Sequence, residues 1–303
     1  MSTRAAVACV GIAVMDLVFE VDVLPDSPTK HFASSYREIG GGPAANAAVT
    51  IARLGGDAHL WARVGDEDWG RRIVDGLRAE GVRVDSVRPI PGGQSGVSAV
   101  MVDGAGERMI VNFSDPTLSP DAGWLPVETL PDFAAVLCDL RWPEAAIRAL
   151  RAARDLKITG VLDADVTDRE IPLAAAEAAS HVVFSEPALA QWSGRGDIAD
   201  GLKKAACRFG GWVAVTAGSR GAYWTVEGET VHHQPAFEVT AVDTLGAGDV
   251  FHGAFAGALA AGQTETDALR WAAGAAALKC TRPGGRAGIP TEDALRRFLK
   301  EQG

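Results

Sequence analysis

The stretch that decides the fold is Asp243-Thr244-Leu245-Gly246-Ala247-Gly248-Asp249, which runs directly into the small, mostly apolar segment 250–259. A glycine-rich turn followed by such a segment predicts a helix that begins at the turn, with Asp249 in its first turn. Backbone N–H groups at a helix start can bind an anion, and the helix dipole favours an ionised carboxylate there. An ordinary capped helix fits the same residues equally well, so the rest of the chain has to decide between the two interpretations.

Length and charge limit the classes of function. At 303 residues the chain can form one large α/β domain or two modest ones. Its net charge of −10 argues against a nucleic-acid partner and against acidic membrane surfaces, because both need a basic face. A small anionic substrate stays compatible with this charge, since a pocket needs only a few local cations.

Cysteine usage bears on the compartment. Cys9, Cys138, Cys207 and Cys280 lie far apart and form no CxxC pair, which suits reduced thiols better than a disulfide framework or a zinc site. No apolar run is long enough to span a bilayer. We therefore expect a cytoplasmic protein without a membrane partner.

Strand-like and helical patterns occur along the chain, and they alternate most regularly from about residue 134 onwards. We predict strands at 6–10, 135–138, 158–162, 181–184 and 212–216, and helices at 44–54, 69–80, 144–154, 174–179 and 198–209. Strands separated by helices indicate a parallel sheet with crossover connections. The fold class predicted from this pattern is α/β.

Two early excursions interrupt that pattern, at about 16–39 and 95–114. The first contains strand-like stretches at 19–23 and 31–39, and the second has the pattern of a β-hairpin. No helix is available to cover these strands. We expect them to form a lid over a cleft, with an outer face that could pair with a second subunit.

Glycine-rich turns occur at two further places. Gly41 and Gly42 permit a tight strand-to-helix turn, and Asn46 offers both a donor and an acceptor to a polyol. A loose dinucleotide pattern and a plain structural turn are the alternatives at this place. The second turn follows a predicted buried strand, and it contains Thr216, Gly218 and Gly221 where a nucleotide could bind. An ordinary β-turn is equally compatible there, and no GxxxxGK[ST] sequence supports a P-loop.

Together these turns resemble those of the pfkB (ribokinase-like) carbohydrate kinases over nearly the whole chain. Residues 40–46 and 64–70 look like the family's N-terminal signature, and 243–249 looks like its C-terminal DTxGAGD signature. The resemblance implies a single kinase domain over 1–303, with a central, mostly parallel sheet flanked by helices and a small β-sheet lid. It also implies ATP and Mg²⁺ as cofactors and allows a monovalent cation.

The resemblance assigns roles residue by residue. Asp249 is implied to be the catalytic base, and the amides of Gly246, Ala247 and Gly248 to form the anion hole. Asp16 falls where the family binds sugar hydroxyls. Such roles agree with the physics of phosphoryl transfer, which depends on positioning and charge neutralisation.

One departure concerns the metal. The family often carries an Asn-x-x-Glu motif that organises magnesium-bound water, and Ser185 and Ala188 stand at its two defining places here. Glu186, Asp163 or Asp165 could compensate. We expect Ser185 and Glu186 near the nucleotide and leave the metal ligands open.

The substrate hypothesis depends on Lys30, Asn112 and Arg141. An ammonium, an amide and a guanidinium can bind a tetrahedral anion, although the residues alone favour three unrelated surface positions. Within the family the chain looks most like the 6-deoxy-6-sulfofructose kinases, in which matching residues hold the sulfonate. This implies phosphorylation of the C1 hydroxyl to give the 1-phosphate. Whether Lys30 serves its own site or a partner's stays open.

Alternative functions remain at this point. Fructose 6-phosphate or another keto-sugar could be the acceptor, since sulfonate and phosphate are both tetrahedral. A non-catalytic sugar sensor and a nicotinamide-dependent oxidoreductase are hypotheses from other classes. Arg286, in the glycine-rich stretch 282–286, could contact nucleotide or a cation loop, or lie in a solvated turn.

Overall fold

The computed structural model describes residues 5–104, 107–167, 170–194 and 196–303, and within these ranges the chain forms two β-sheets and the helices around them. The strands are β1 (Ala6–Ile12), β2 (Val14–Glu20), β3 (Ser35–Gly41), β4 (Asp57–Gly65), β5 (Arg83–Ile90), β6 (Gly96–Val102), β7 (Arg108–Phe113), β8 (Ala135–Cys138), β9 (Thr159–Ala164), β10 (His181–Ser185), β11 (Trp212–Thr216), β12 (Ala222–Val226) and β13 (His232–Gln234). The α-helices are α1 (Pro43–Arg53), α2 (Asp68–Ala79), α3 (Pro143–Asp155), α4 (Leu173–Ala178), α5 (Glu186–Ser193), α6 (Ile198–Phe209), α7 (Ala247–Ala260), α8 (Glu265–Cys280) and α9 (Glu292–Glu301).

The larger sheet has nine strands in the order β13-β12-β11-β10-β9-β8-β1-β4-β5. Its pairs are parallel from β11 to β5, whereas β12 and β13 pair antiparallel at one edge. The carboxyl ends of the parallel strands therefore share one edge of the sheet. In open α/β folds, ligands bind at that edge.

Helices cover both faces of the larger sheet. Residues alternate along β1, so that Val7 and Cys9 pack in one apolar cluster while Ala8 and Val10 pack in the other. The first cluster contains buried residues of α1, α2, α7, α8 and α9, and the second contains those of α3 to α6. The larger sheet thus has the mostly parallel α/β architecture, with helices on both faces, that we expected from the sequence.

The smaller sheet has four strands in the order β3-β2-β6-β7. The two predicted excursions supply these strands, and we call this sheet the lid. β2 pairs parallel with β6 and antiparallel with β3. Asp16, Ser98 and Asn112 are directly opposite one another on β2, β6 and β7, and such neighbours project from the same face of a sheet.

Some boundaries differ from the sequence predictions. The strand predicted at 19–23 is wrong in position, because β2 follows β1 after a single residue and ends at Glu20. Asp16 therefore lies inside a lid strand and not in a loop. The strand predicted at 31–39 begins only at Ser35, since 21–34 form a mostly exposed connection without regular structure. Among the described residues, no helix combines the length and apolarity needed to cross a bilayer.

Candidate active site

The turn from Asp243 to Asp249 enters α7 through a left-handed residue. Gly246 precedes the helix with φ of 73°, a conformation that costs glycine no steric strain. The N–H of Ala247 donates to the carbonyl of Thr244 at 3.2 Å, and within the described part of the chain the amides of Gly246 and Gly248 have no backbone acceptor. Two of the three predicted amides, those of Gly246 and Gly248, can thus donate to an anion. The amide of Ala247 would have to donate to the anion and to the Thr244 carbonyl at the same time.

Asp249 lies in the first turn of α7 and is held from the neighbouring helix α1. The Nδ2 atom of Asn46 donates to its Oδ2 at 2.6 Å. Desolvation raises the pKa of Asp249 to about 6, against the Asn46 hydrogen bond and with a further contribution from the charge of Asp165. A carboxylate with such a pKa is suited to take a proton from a hydroxyl near neutral pH.

The glycine turn before α1 makes room for the carboxylate of Asp16. A Cβ at Gly41 would come within 2.2 Å of the Asp16 carboxylate, so only glycine permits this approach. Gly42 adopts φ of 95° and precedes α1. This turn follows the lid strand β3 and not the central strand β1, where a dinucleotide-binding turn would lie. The dinucleotide interpretation is therefore not supported by the topology.

Asp139 is a buried residue whose role the sequence analysis missed. Its carboxylate accepts hydrogen bonds from the amides of Ile12, Ala44 and Arg141, at 2.9, 3.1 and 2.9 Å. It thereby joins the end of β1, the start of α1 and the segment after β8. A Cβ at Gly11 would come within 2.1 Å of Asp139. A lone carboxylate after a buried strand was the only available signal.

A cavity of about 180 Å³ lies between the lid and the carboxyl edge of the larger sheet, and we call it the lid cleft. Its polar lining residues are Asp16, Asn46, Ser98, Asn112, Ser114, Arg141 and Asp249. Together with Gly42 and Gly246, which also line it, seven of the predicted catalytic and substrate residues meet in one cavity. The side chains of Asn112 and Arg141 are exposed in it, and among the described residues neither makes a hydrogen bond or ion pair.

Asp16 faces the lid cleft from β2. Burial raises its pKa, while a hydrogen bond from Ser98 and the charge of Arg286 oppose that rise. Ser98 itself was not predicted as a site residue. It could have been found only from the strand register, which places it between Asp16 and Asn112.

Lys30 lies apart from this group. It is exposed in the connection 21–34 between β2 and β3 and does not line the lid cleft. The connection leaves β2 after Glu20, which is four residues along the strand from Asp16. The three predicted anion-binding residues are therefore not assembled by one copy of the chain.

The predicted nucleotide residues lie further along the same sheet edge. Ser185 and Thr216 end β10 and β11 and are directly paired. Gly218 and Gly221 bound the turn after β11, where a Cβ at Gly221 would come within 2.1 Å of the Gln234 carbonyl. Glu186 forms a salt bridge with Arg220 of this turn. The two loops are thus joined beside the cleft, and they do not line it.

The residues considered for metal binding differ in what they can do. Ser185 accepts a bond from the amide of Ala188 and caps α5, and Glu186 is paired with Arg220. Asp163 is buried against His252, and burial raises its pKa well above the ordinary value. Asp165 is half-buried and interacts electrostatically with Asp249, so it fits a metal best by charge. Within the described ranges, no three His, Cys, Asp or Glu side chains are arranged around a metal site.

Asp243 ties the turn to the segment after α8. Its Oδ2 accepts from the amides of Gly284 and Gly285 at 2.9 and 3.0 Å, and its Oδ1 accepts from Leu245 at 2.8 Å. The Nζ atom of Lys279 donates to the carbonyl of Asp243 at 2.8 Å and lies 3.2 Å from its Oδ1. Although burial acts the other way, these hydrogen bonds and this charge hold the pKa of Asp243 below its ordinary value.

Arg286 is buried, so the solvated-turn interpretation of this residue is wrong. Its Nε donates to Oδ1 of Asn46 at 2.7 Å, and its Nη2 donates to the carbonyl of Gly41 at 2.8 Å. Residue patterns could not indicate this burial, because a glycine-rich loop is commonly exposed.

Comparisons with known proteins agree with this geometry. The family of pfkB carbohydrate kinases matches residues 4–292. A fructokinase from Klebsiella pneumoniae is 34% identical, over 92% of this chain and 96% of its own. A protein from Agrobacterium tumefaciens, solved as a candidate ribokinase, is 40% identical with a TM-score of 0.94, over 99% of this chain and 98% of its own. The Arabidopsis thaliana ribokinase complexed with ribose and ATP is 25% identical with a TM-score of 0.88, over 98% of this chain and 99% of its own.

Proposed function

The chain belongs to the pfkB family of carbohydrate kinases and is an ATP-dependent sugar kinase, and we propose that it phosphorylates 6-deoxy-6-sulfofructose at the C1 hydroxyl. Family membership removes the sugar-sensor and nicotinamide-dependent oxidoreductase hypotheses. The acceptor sugar is the part that we propose.

The observation that carries the proposal is that Asp249, Asn112 and Arg141 line the same cavity, the lid cleft. Asp249 can act as the base for the attacking hydroxyl. The side-chain donors of Asn112 and Arg141, which have no partner among the described residues, can bind an anionic group elsewhere on the sugar. A neutral sugar would leave the guanidinium without a partner of opposite charge. This arrangement supports an acceptor with a tetrahedral anion, and the C6 sulfonate meets that description.

The chemistry then follows from the positions of the groups. The C1 oxygen attacks the γ-phosphorus of ATP, the bond from phosphorus to the bridging oxygen breaks, and ADP leaves. Asp249 takes the proton of the C1 hydroxyl. The amides of Gly246 and Gly248, with Ala247, stabilise the charge on the transferring phosphoryl group. Asp16 and the second N–H of Asn46 orient the remaining sugar hydroxyls.

ATP is proposed to lie along the loops after β10 and β11, over Ser185, Glu186, Thr216, Gly218 and Gly221. In kinase sites, magnesium is bound by the nucleotide phosphates and by only one or two carboxylates of the protein. When bound, it would neutralise the charge that develops on the phosphates. Asp165 is the carboxylate that we propose for this purpose.

The monovalent cation allowed by the resemblance would lie beside the segment 280–288. Lys279 already brings an ammonium group to that segment, where it contacts Asp243. We therefore expect activity without added potassium, and assays in potassium-free buffer test this.

Lys30 enters the proposal through a homodimer formed by the lid. Apolar side chains are exposed on the lid and its connection, among them Phe32, Tyr36, Val111 and Phe113, and an exposed apolar sheet face favours association. In such a dimer Lys30 could reach the partner's cleft. A cytoplasmic location, where ATP is available and thiols stay reduced, completes the proposal.

A comparison of kcat/KM among acceptors tests the proposal. We expect 6-deoxy-6-sulfofructose to exceed fructose 6-phosphate, and both to exceed neutral fructose and ribose. Arg141→Gln should lower kcat/KM for the anionic sugars by about 10- to 100-fold, which corresponds to one charge-assisted hydrogen bond. The same substitution should leave neutral sugars unchanged. Arg148→Gln, at an exposed position on α3, is the matched control.

Two outcomes would overturn the acceptor assignment. A preference for fructose 6-phosphate would replace the sulfonate by a phosphate. An equal loss for neutral and anionic sugars in Arg141→Gln would remove the anion-binding role of Arg141.

A further inference from the structure

Arg286 is a buried cation that does not line the lid cleft, yet it contacts a residue that touches the proposed base. Only 9% of its surface is exposed. Burial lowers its pKa to about 10, with the carboxylates of Asp16, Glu80 and Asp249 acting in the opposite direction, so the guanidinium remains charged at neutral pH. Holding a charge at a buried position is costly unless its donors are satisfied. The hydrogen bonds that Arg286 donates to Asn46 and Gly41 supply such partners.

The contacts form a chain of three side chains. Arg286 Nε donates to Asn46 Oδ1 at 2.7 Å, and Asn46 Nδ2 donates to Asp249 Oδ2 at 2.6 Å. A guanidinium has donors and no acceptor, whereas an ionised carboxylate has acceptors and no donor. Only one orientation of the Asn46 amide satisfies both neighbours. Without Arg286, the amide could rotate and turn its oxygen towards Asp249.

We propose that Arg286 is a positioning residue for phosphoryl transfer, which acts through Asn46 to fix the orientation and charge of Asp249. The inference rests on the proposed function, since it takes Asp249 as the base. It goes beyond that function by assigning a role to a side chain outside the cleft.

The surrounding backbone is built around this guanidinium. A Cβ at Gly40 would come within 1.9 Å of Nη1 of Arg286, so the end of β3 has no space for a side chain there. Nη2 of Arg286 also donates to the carbonyl of Gly41 at 2.8 Å. From the opposite side, Arg53 donates to the carbonyls of Arg286 and Ile289 at 2.8 and 3.0 Å. The segment that carries Arg286 is thus fixed to both β3 and α1.

Arg286 is also a positive charge that interacts with Asp249 and with Asp16, whereas Arg141 is the cation that acts on Asp139 and Asp163. Asp165 after β9, Asp139 after β8 and Asp16 on β2 all act to raise the pKa of Asp249, and Asp163 on β9 interacts with it as well. The Asn46 hydrogen bond acts in the opposite direction. Removing Arg286 should therefore move the acid limb of the pH–rate profile to higher pH, through the lost charge and the rotated amide together.

The first measurement compares Arg286→Gln with Arg297→Gln, which removes an exposed positive charge on α9. We expect Arg286→Gln to lower kcat by about 10- to 100-fold, within the range of positioned acid–base catalysis, and to leave the KM for ATP unchanged. Its acid limb should move to higher pH. Arg286→Lys keeps the positive charge but loses the planar fork of the guanidinium. In this variant the acid limb should return close to its wild-type pH, whereas kcat should recover only in part.

The second measurement is a double-mutant cycle with Asn46→Ala. If Arg286 acts through Asn46, the loss caused by Arg286→Gln should shrink to less than about threefold in the Asn46→Ala background. Equal losses in both backgrounds would overturn the proposal. So would a reduced melting temperature with unchanged kcat and pH profile per folded molecule, because that result describes a structural residue only.

Two further comparisons keep the outcomes separate. Should Arg286→Gln fail to fold, Arg286→Lys takes its place in the same cycle. Asp249→Asn tests the underlying assignment independently. Full activity in Asp249→Asn would overturn the proposed base, whereas an inactive Asp249→Asn with additive Arg286 losses would overturn this inference alone.

Discussion

The segment around Asp243 and the lid differ sharply in how their side chains are held. Lys279 has no exposed surface and Arg286 has 9%, and both donate directed hydrogen bonds to residues near the proposed base. On the lid and its connection, Phe32 is 86% exposed and Val111 61%. The side chains of Asn112 and Arg141 line the cleft and have no hydrogen-bond partner among the residues that the structure describes. One region is fixed in advance, and the other is open to a ligand.

This difference separates two tasks of a sugar kinase. Phosphoryl transfer gains from groups whose orientation is set before the substrate arrives. Recognition of an acceptor needs donors that the protein has left unsatisfied until a ligand binds. Substitutions in the two regions should therefore have different consequences, and the following predictions test that expectation.

Asp249→Asn should have the largest effect. Because the amide cannot accept the hydroxyl proton as a base, kcat should fall by about 10²- to 10⁴-fold, while the melting temperature changes little. The control is Asp155→Asn at the exposed end of α3. Sugar-dependent ADP release measures the loss, and undiminished release would contradict the assignment of the base.

Lys279→Met should mainly reduce stability. The substitution leaves Asp243 partly buried without its cation, and breaking such a pair costs about 3–5 kcal/mol. Urea unfolding measures the change, with Lys300→Met on the exposed side of α9 as the control. A loss below about 1 kcal/mol would mean that Asp243 is satisfied by its amide donors alone.

Acidic pH should inactivate the enzyme through Asp249. Its pKa is raised to about 6, mainly by desolvation, and only the deprotonated form accepts a proton. The value of kcat/KM should therefore rise about tenfold per pH unit up to about pH 6 and then level off. The profile is measured from about pH 5 to about pH 8, and a flat curve over that range would argue for a different base.

Arg108→Gln should have the smallest effect. Nη1 of Arg108 donates to Oγ1 of Thr244 at 2.7 Å, and this bond joins the exposed lid to the fixed turn. One hydrogen bond of this kind is worth about 0.5–1.5 kcal/mol, so the KM for the sugar should rise by about two- to tenfold. Initial rates measure the change. If kcat fell more than KM rose, the lid would take part in positioning the base.

Local patterns were enough to predict the α/β body. The strands at 135–138 and 212–216 have the predicted bounds, as does the helix at 198–209, because apolar periodicity and glycine breaks are local features. The lid strand β2 was misplaced, since its start depends on continuation from β1 and on pairing with β6, which residue patterns do not contain. Glycine-rich turns could be recognised for the same local reason as the helices.

Buried polar contacts between distant segments could not be predicted. Arg286 and Asn46 are 240 positions apart in the chain, and nothing near either residue indicates the other. For Lys30, by contrast, a contact was expected that one copy of the chain does not make. The resemblance grouped it with Asn112 and Arg141, whereas one copy of the chain keeps it outside the cleft.

The row formed by Asp16, Ser98 and Asn112 has a consequence for how specificity can change. Adjacent strands lie about 4.8 Å apart, so these three positions are spaced at fixed intervals along the wall of the cleft. None of the three lies on α7, the helix that carries Asp249. Evolution could therefore change the acceptor sugar one side chain at a time while the machinery of phosphate transfer is inherited intact.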